Sequence, residues 1–166
     1  MFMNERQKML SGQPFDPSDP ELVADRIANE RWLARLNATL GWPPDARRDL
    51  LIERFDHVGA GVDVAPPFTC TYGYNIEVGA GVTIQSGVLM QDACRIEIGE
   101  RTQIGPGVII ASLTAGPLTA SGQRLHLGHP IAIGRDVWIG AGARILAGSV
   151  VPDGTEIAPG SIVSPG

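Results

Sequence analysis

Three histidines, His57, His126 and His129, are the chain's imidazoles, and His126 and His129 stand three residues apart in one segment. An imidazole in that segment can take a proton from a hydroxyl as a general base, or ligate a metal through a ring nitrogen. A zinc hydrolase needs three ligands converging on one ion with a coordination position left open. With His57 remote and the other two close together, the sequence argues against that arrangement, and no metal is expected. Cys70 and Cys94 have neither metal-ligand spacing nor a secretory context, and read as free, packed thiols. The bland alternative for His126 is a solvated loop residue.

The segment holding both histidines, ASLTAGPLTASGQRLHLGHP, interrupts a repeat. From Val58 onward, branched aliphatic residues recur at every sixth position: Val58 and Val64; Val78, Ile84 and Met90; Ile98, Ile104 and Ile110; then Ile133, Ile139, Ile145, Val151, Ile157 and Val163 without a break. All but Met90 are Val or Ile, which suit a pleated, buried surface. Small or β-branched residues (Val137, Ala143, Ser149, Thr155, Ser161) follow four positions after the anchors of the last run. Glycines three positions after an anchor, Gly107 and Gly142 among them, suit a corner. A period of six belongs to neither a helix nor an alternating strand. Each hexad is a short strand plus a corner, and stacked hexads make a parallel β-helix, a mainly β fold. The register slips by two residues between Met90 and Ile98, and breaks between Ile110 and Ile133. The second break, at about 111–130, is expected to be a protruding loop without strand pattern, and functional.

The first third reads as helical. Ser18 and Glu21 have the spacing of a capping box, Pro20 suits a first turn, and Val23, Ile27, Ala28, Trp32, Leu36 and Leu40 form the expected buried stripe. A second helix is expected over Asp45 to Arg54, burying Leu50, Leu51 and Phe55. The chain therefore divides into an N-terminal helical cap segment, 1–56, and a β-helix, 57–166. A net charge of -5 and a pI near 5.1, without a basic run, argue against nucleic acid or an anionic membrane as partner. No apolar stretch is long enough to span a bilayer. MFMNERQKML lacks a signal-peptide core, so a cytoplasmic location is expected.

The runs PFTCTYGYNIEVGAGV, IEIGERTQIGPGV and HPIAIGRDVWIGAGARILAGSVVPDG, with the opening KMLSGQPFDPSDPEL, resemble the maltose and galactoside O-acetyltransferases. The resemblance implies a left-handed β-helix with three hexads per coil, a homotrimer, and a cleft between subunits where acetyl-CoA meets a sugar-like acceptor. A loop carrying a catalytic histidine in a Thr-x-Thr-His-Pro segment closes that cleft. Here the segment is Ser112-Leu113-Thr114-Ala115-Gly116-Pro117, and the histidine position falls on Ala115 or Gly116.

His126 is then the candidate substitute base. The resemblance assigns acceptor contacts to Asp92, Thr71 and Gln85, the last in place of an Asn, and to Asp16 as a shifted candidate. It assigns a pantetheine groove to Ala141, Gly160 and Ser164, with Ser164-Pro165-Gly166 where the family's CoA-binding Thr-Lys pair would stand. Two functions follow. One is an acetyl-CoA-dependent O-acetyltransferase of a sugar or similar hydroxyl. The other is an inactive relative that serves as a trimeric binding or structural protein, which the missing histidine favours.

Overall fold

The structure, a computed structural model, describes residues 2–166. Helix α1 (Glu5–Leu10) is followed by α2 (Pro20–Asn37), a 3-10 turn (Pro44–Arg47) and α3 (Arg48–Arg54). After Asp56 the chain is short strand and corner, wound, apart from one inserted segment, as a left-handed parallel β-helix with three faces. The first face stacks His57–Val58, Ile76–Val78, Ile96–Ile98, Ile131–Ile133 and Val150–Val151. The second stacks Asp63–Val64, Thr83–Ile84, Gln103–Ile104, Trp138–Ile139 and Glu156–Ile157. The third stacks Phe68–Cys70, Val88–Gln91, Ile109–Ala111, Arg144–Ile145 and Ile162–Val163.

All three faces pair parallel, anchor on anchor: Val58 with Val78, Val78 with Ile98, Ile98 with Ile133, Ile133 with Val151. Every anchor but one is buried, and Val163, in the last coil, is partly so. This column of branched side chains is the main core, and Trp32, Leu36, Leu51 and Phe55 from the helices close its first end. The helices cover the edge of the first coil, whose backbone would otherwise be unpaired.

Cys70 is a further anchor that the hexad pattern hides. It pairs with Met90, which pairs with Ile110. Cys70 to Val78 is eight residues, as is Met90 to Ile98, so the two-residue slip recurs in successive coils at one corner, between the third and first faces. The long break from Ile110 to Ile133 falls at the same corner.

Several local expectations are corrected. Asp19, not Ser18, caps α2, accepting from the Glu21 N–H at 3.1 Å, while Ser18 turns to Asp16. The buried stripe of α2 is Leu22, Asn29, Trp32, Leu33 and Leu36; Ile27, Ala28 and Leu40 are exposed. The rotation follows from Asn29, whose amide donates to the Cys70 carbonyl at 2.8 Å and the Thr71 carbonyl at 3.1 Å. Polar satisfaction sets that face, and hydrophobic periodicity does not register it. The segment at 111–130 is strand after all, an antiparallel hairpin of Leu113–Leu118 and Arg124–Gly128. Its alternation is masked by a bulge between Ala115 and Leu118, where Gly116 and Pro117 sit.

Candidate active site

The wide corner is held open by side chains reaching from one coil to the next. The Asp92 carboxylate, fully buried, accepts from the backbone N–H groups of Thr71 (3.1 Å), Tyr72 (2.8 Å), Gly73 (2.8 Å) and Asn75 (3.2 Å). The Asn75 amide donates back to the Asp92 carbonyl at 2.6 Å. One coil on, the Ser112 hydroxyl accepts from the Cys94 N–H at 2.9 Å and donates to the Gln91 carbonyl at 2.8 Å. Burial pushes the Asp92 carboxyl up to about 6, against the N–H groups that favour its charge. Burial likewise raises the thiols of Cys70 and Cys94, which are free and packed.

The N-terminal segment and the hairpin close over this corner. Met9, Phe15 and Leu22 pack with Tyr72 and Ala93 in a second, smaller core, with Tyr74 and Leu113 against it. Phe15 and His126 exchange two backbone hydrogen bonds of 2.9 Å, so the segment before α2 joins the hairpin as a one-residue strand. The Phe15 ring meets the imidazole edge-on, with centroids 5.9 Å apart. Gln123 donates to Asp16 at 2.9 Å, tying the hairpin to the same segment. The Asp16 carboxyl lies below its usual range, chiefly through hydrogen bonds from Ser18, with a smaller contribution from the nearby His126.

These elements enclose a cavity of about 280 Å³ lined by Phe15, Pro17, Arg26, Thr71, Tyr72, Gln91, Ala93, Leu113 and His126. His126 also lines an adjoining recess of about 290 Å³ with Leu113, Thr114, Ala115 and Arg124, so its imidazole stands between two openings. In the hairpin register His126 lies directly across from Ala115. Directly opposed residues of an antiparallel pair present their side chains on one face, and Ala115 contributes only a methyl group there. Among the described residues no group of His, Cys, Asp and Glu is arranged to hold a metal ion. Among the described residues no helix is long and apolar enough to cross a membrane.

Residues 8–59 match the maltose acetyltransferase hexapeptide capping motif. The fold overlays a maltose O-acetyltransferase from Clostridium difficile 630 with a TM-score of 0.91 and 35% identity, covering 98% of this chain and 88% of that one. The chain belongs to the family of the maltose and galactoside O-acetyltransferases. A hexapeptide-repeat-containing acetyltransferase from Vibrio cholerae O1 biovar eltor, complexed with acetyl coenzyme A, overlays with a TM-score of 0.83 and 31% identity, covering 98% of this chain and 88% of that one. Nodulation protein L of Rhizobium leguminosarum bv. viciae is 42% identical over 84 residues, 51% of this chain and 44% of that protein. The chain thus spans less than half the length of the curated relatives it matches.

The family positions sort onto two edges of the solenoid. Thr71 and His126 line the cavity at the third-to-first corner, and Asp16 flanks it. Asp92 belongs to the same corner but lies beneath the lining, with its oxygens on backbone N–H groups rather than facing an acceptor. Gln85, Ala141 and Gly160 are exposed on the second-to-third edge, where the Gly160 N–H donates to the Ala141 carbonyl at 2.9 Å. Ser164 is exposed after the last strand.

Of the two candidate family histidine positions, only 115 has room for a side chain. A Cβ on Gly116 would come within 2.8 Å of the Leu125 carbonyl oxygen. His129 is exposed and outside the cavity, its N–H bonded to the Ser112 carbonyl; His57 is exposed at the start of the first face. Arg26, Tyr72, Gln91, Phe15 and Leu113 were not singled out from the sequence. The recurring two-residue slip at 71–77 and 91–97 was the available signal for part of this lining, whereas nothing in α2 marked Arg26.

Proposed function

We propose that this protein transfers the acetyl group of acetyl-CoA to a hydroxyl of a sugar-like acceptor bound in the corner cavity, with His126 as the general base. The observation that carries this reading is the placement of His126 directly across the hairpin from Ala115. The imidazole reaches from the neighbouring strand toward the space that a side chain at 115 would share. A hydroxyl is a poor nucleophile at neutral pH, so its proton must leave as its oxygen attacks the thioester carbonyl. His126 takes that proton, the new C–O ester bond forms, the C–S bond breaks, and the imidazolium returns the proton to the CoA thiolate. Thr71 and Gln91 offer polar contacts to the acceptor from the coil side.

The assembly that suits this chemistry is a cytoplasmic homotrimer. Val150, Trp138 and Ile162 leave apolar side chains exposed on the three outer faces of the late coils, which subunit contacts would cover. In such a trimer the second-to-third edge of one copy, with Gln85, Ala141, Gly160 and Ser164 near it, faces the corner cavity of its neighbour. CoA would lie along that edge through backbone contacts.

Free-thiol release from acetyl-CoA, followed across a panel of glycosides, tests the reading. Turnover by the wild type should fall roughly 10²- to 10⁴-fold in His126→Ala. Turnover unchanged by that substitution would remove His126 from the mechanism. An absence of both turnover and CoA binding would leave the inactive binding protein as the surviving reading.

A further inference from the structure

A general base needs a direction as well as a site for the proton, and the surroundings of His126 show what supplies it. The usual orienting partner of such an imidazole is a carboxylate or carbonyl that accepts from one ring nitrogen. Among the described residues no carboxylate oxygen lies within 4.0 Å of either nitrogen of His126, and neither nitrogen hydrogen-bonds to another part of the chain. Asp16, one residue from the backbone partner of His126, gives its carboxylate to Ser18 and Gln123 instead.

What flanks the imidazole is set by strand pairing. His126 gives both its N–H and its carbonyl to Phe15, at 2.9 Å each, so its pairing with Ala115 on the other side is of the close, non-hydrogen-bonded kind. Phe15, His126 and Ala115 therefore form one row, and opposed residues of such pairs share a face. On one flank of the imidazole is a methyl group. On the other is a phenyl ring, with 5.9 Å between centroids and 81° between planes, an edge-to-face arrangement that aromatic pairs favour.

Phe15 is itself held firmly. It is 1% exposed, in the smaller core with Met9, Leu22, Tyr72 and Ala93. Pro14 fixes the backbone before it and has no N–H to lengthen the one-residue strand, and Pro17 disfavours a helical Asp16. The Met9 carbonyl accepts from the Cys94 thiol at 3.0 Å and Asp16 accepts from Gln123 at 2.9 Å, so the segment is tied down on both sides of Phe15.

We propose that Phe15 is the positioning residue of the base, its ring holding the His126 imidazole in the orientation aimed into the cavity. The effect on rate rests on the transferase reading, while the ring pair is testable without turnover. An imidazole without that ring beside it spreads over its staggered wells, and a base turned away from the hydroxyl takes no proton. The helical cap segment thus enters the chemistry: besides closing the solenoid, it sets the direction of a base carried by the hairpin.

The kinetic test compares thiol release by wild type, Phe15→Leu, Phe15→Tyr, His126→Ala and the double variant Phe15→Leu with His126→Ala, with melting temperature as the control for folding. Phe15→Leu keeps an apolar side chain in the core but loses the ring, and kcat should fall about tenfold or more, as for a misaligned reacting group. Phe15→Tyr keeps the ring and should stay within about threefold of wild type. In the His126→Ala background, Phe15→Leu should change kcat by less than about twofold, because a residue that acts through the base has nothing left to act on. An equal loss in both backgrounds would make Phe15, which also lines the cavity, a packing or acceptor contact only, and would overturn the proposal.

The second test needs no variant and no turnover. In wild type with labelled histidine, three-bond couplings and cross-relaxation should show one His126 χ1 well, with the imidazole protons against the Phe15 ring. Averaged wells overturn the proposal whether or not any variant folds. If the wild type shows no turnover, the transferase reading falls; a single well then leaves Phe15 as the residue that orients His126, and averaged wells remove that as well.

Discussion

The solenoid has three corners per coil, and they are built on opposite rules. The first-to-second and second-to-third corners keep six residues between anchors, as in Val58 to Val64 and Ile139 to Ile145. They hold no side-chain bridge as elaborate as that of Asp92. The third-to-first corner takes eight residues twice and twenty-three once, returning to six only from Ile145 to Val151. Its extra residues leave the backbone without ladder partners, so Asp92 and Ser112 supply hydrogen bonds from the next coil. The tight corners turn sequence into a rigid stack. The wide one spends that rigidity on positioning side chains from α2, two coils and a hairpin around one cavity. Chemistry gathers where the repeat is broken because only there can residues distant in sequence be aimed at one point.

The largest effect expected from this contrast is a transfer of catalytic function across the hairpin. His126→Ala should abolish most turnover, and adding Ala115→His to that variant should recover at least about a hundredfold, within the usual range for a positioned base. The equivalent rescue from Gly116→His should fail, since a side chain there collides with the Leu125 carbonyl. Equal rescue from 116, or none from 115, would mean that the wide corner does not position the base by register. The measurement is steady-state thiol release with melting temperature as a control.

Ile104 lies on the second face, fully buried and far from the wide corner. Ile104→Ala should cost about 2–5 kcal/mol in urea unfolding, through lost burial and the cavity left behind. Its kcat/KM per folded molecule should stay within about twofold of wild type, as additivity of distant sites implies. A loss of activity larger than the loss of folded protein would show that scaffold and site are coupled more tightly than the two kinds of corner suggest.

Much of the scaffold was legible in the sequence because a buried column of identical geometry demands the same residue type every six positions, from Val58 to Val163. The site was less legible. Cys70 escaped because a thiol is not a branched aliphatic, and without it the first two-residue slip looked like an ordinary gap. The hairpin escaped because the bulge at Gly116 and Pro117 breaks alternation. Asp16, Thr71 and His126 were singled out through family resemblance, but Arg26 joins them at the coil through Tyr72, forty-six positions away, and no local pattern encodes that meeting. Asn29 rotated α2 away from its apparent stripe for the same kind of reason: its partners are carbonyls of the distant wide corner.

The buried brace of that corner makes a pH-dependent prediction with a definite sign. The folded-state Asp92 carboxyl titrates at about 6, above the 3.8 of an ordinary aspartate. Between those values the folded chain therefore holds more protons than the unfolded one. The stability Asp92 contributes is fully present below about pH 4 and is lost as pH rises through about 6. Asp92→Asn cannot titrate, so unfolding free energy from about pH 4 to pH 7 should fall more steeply in wild type than in the variant, by up to roughly 3 kcal/mol. The opposite slope would mean that the four N–H groups outweigh burial. No residue of the tight corners should show such a difference.

The smallest predicted effect separates the corners by their glycines. Gly107, on the second-to-third edge, has φ +69° and nothing within 4 Å of where an added methyl group would lie, so Gly107→Ala meets only the left-handed backbone penalty, about 1–2 kcal/mol. Gly73, in the wide corner, has φ +84°, and a Cβ there would lie 2.7 Å from Arg54 Cγ and 3.0 Å from Asn29 Oδ1. Gly73→Ala must therefore carry the same backbone penalty and in addition displace Arg54, which donates to the Tyr72 carbonyl at 2.7 Å, and crowd the amide that orients α2. Unfolding measurements should place Gly73→Ala at least about 1 kcal/mol beyond Gly107→Ala. Since Tyr72 and Arg26 share a wall of the cavity, Gly73→Ala should also raise KM, whereas Gly107→Ala should leave it alone. Equal costs and equal KM values would show that the wide corner is as tolerant as the tight ones, and that its extra residues are slack rather than a frame.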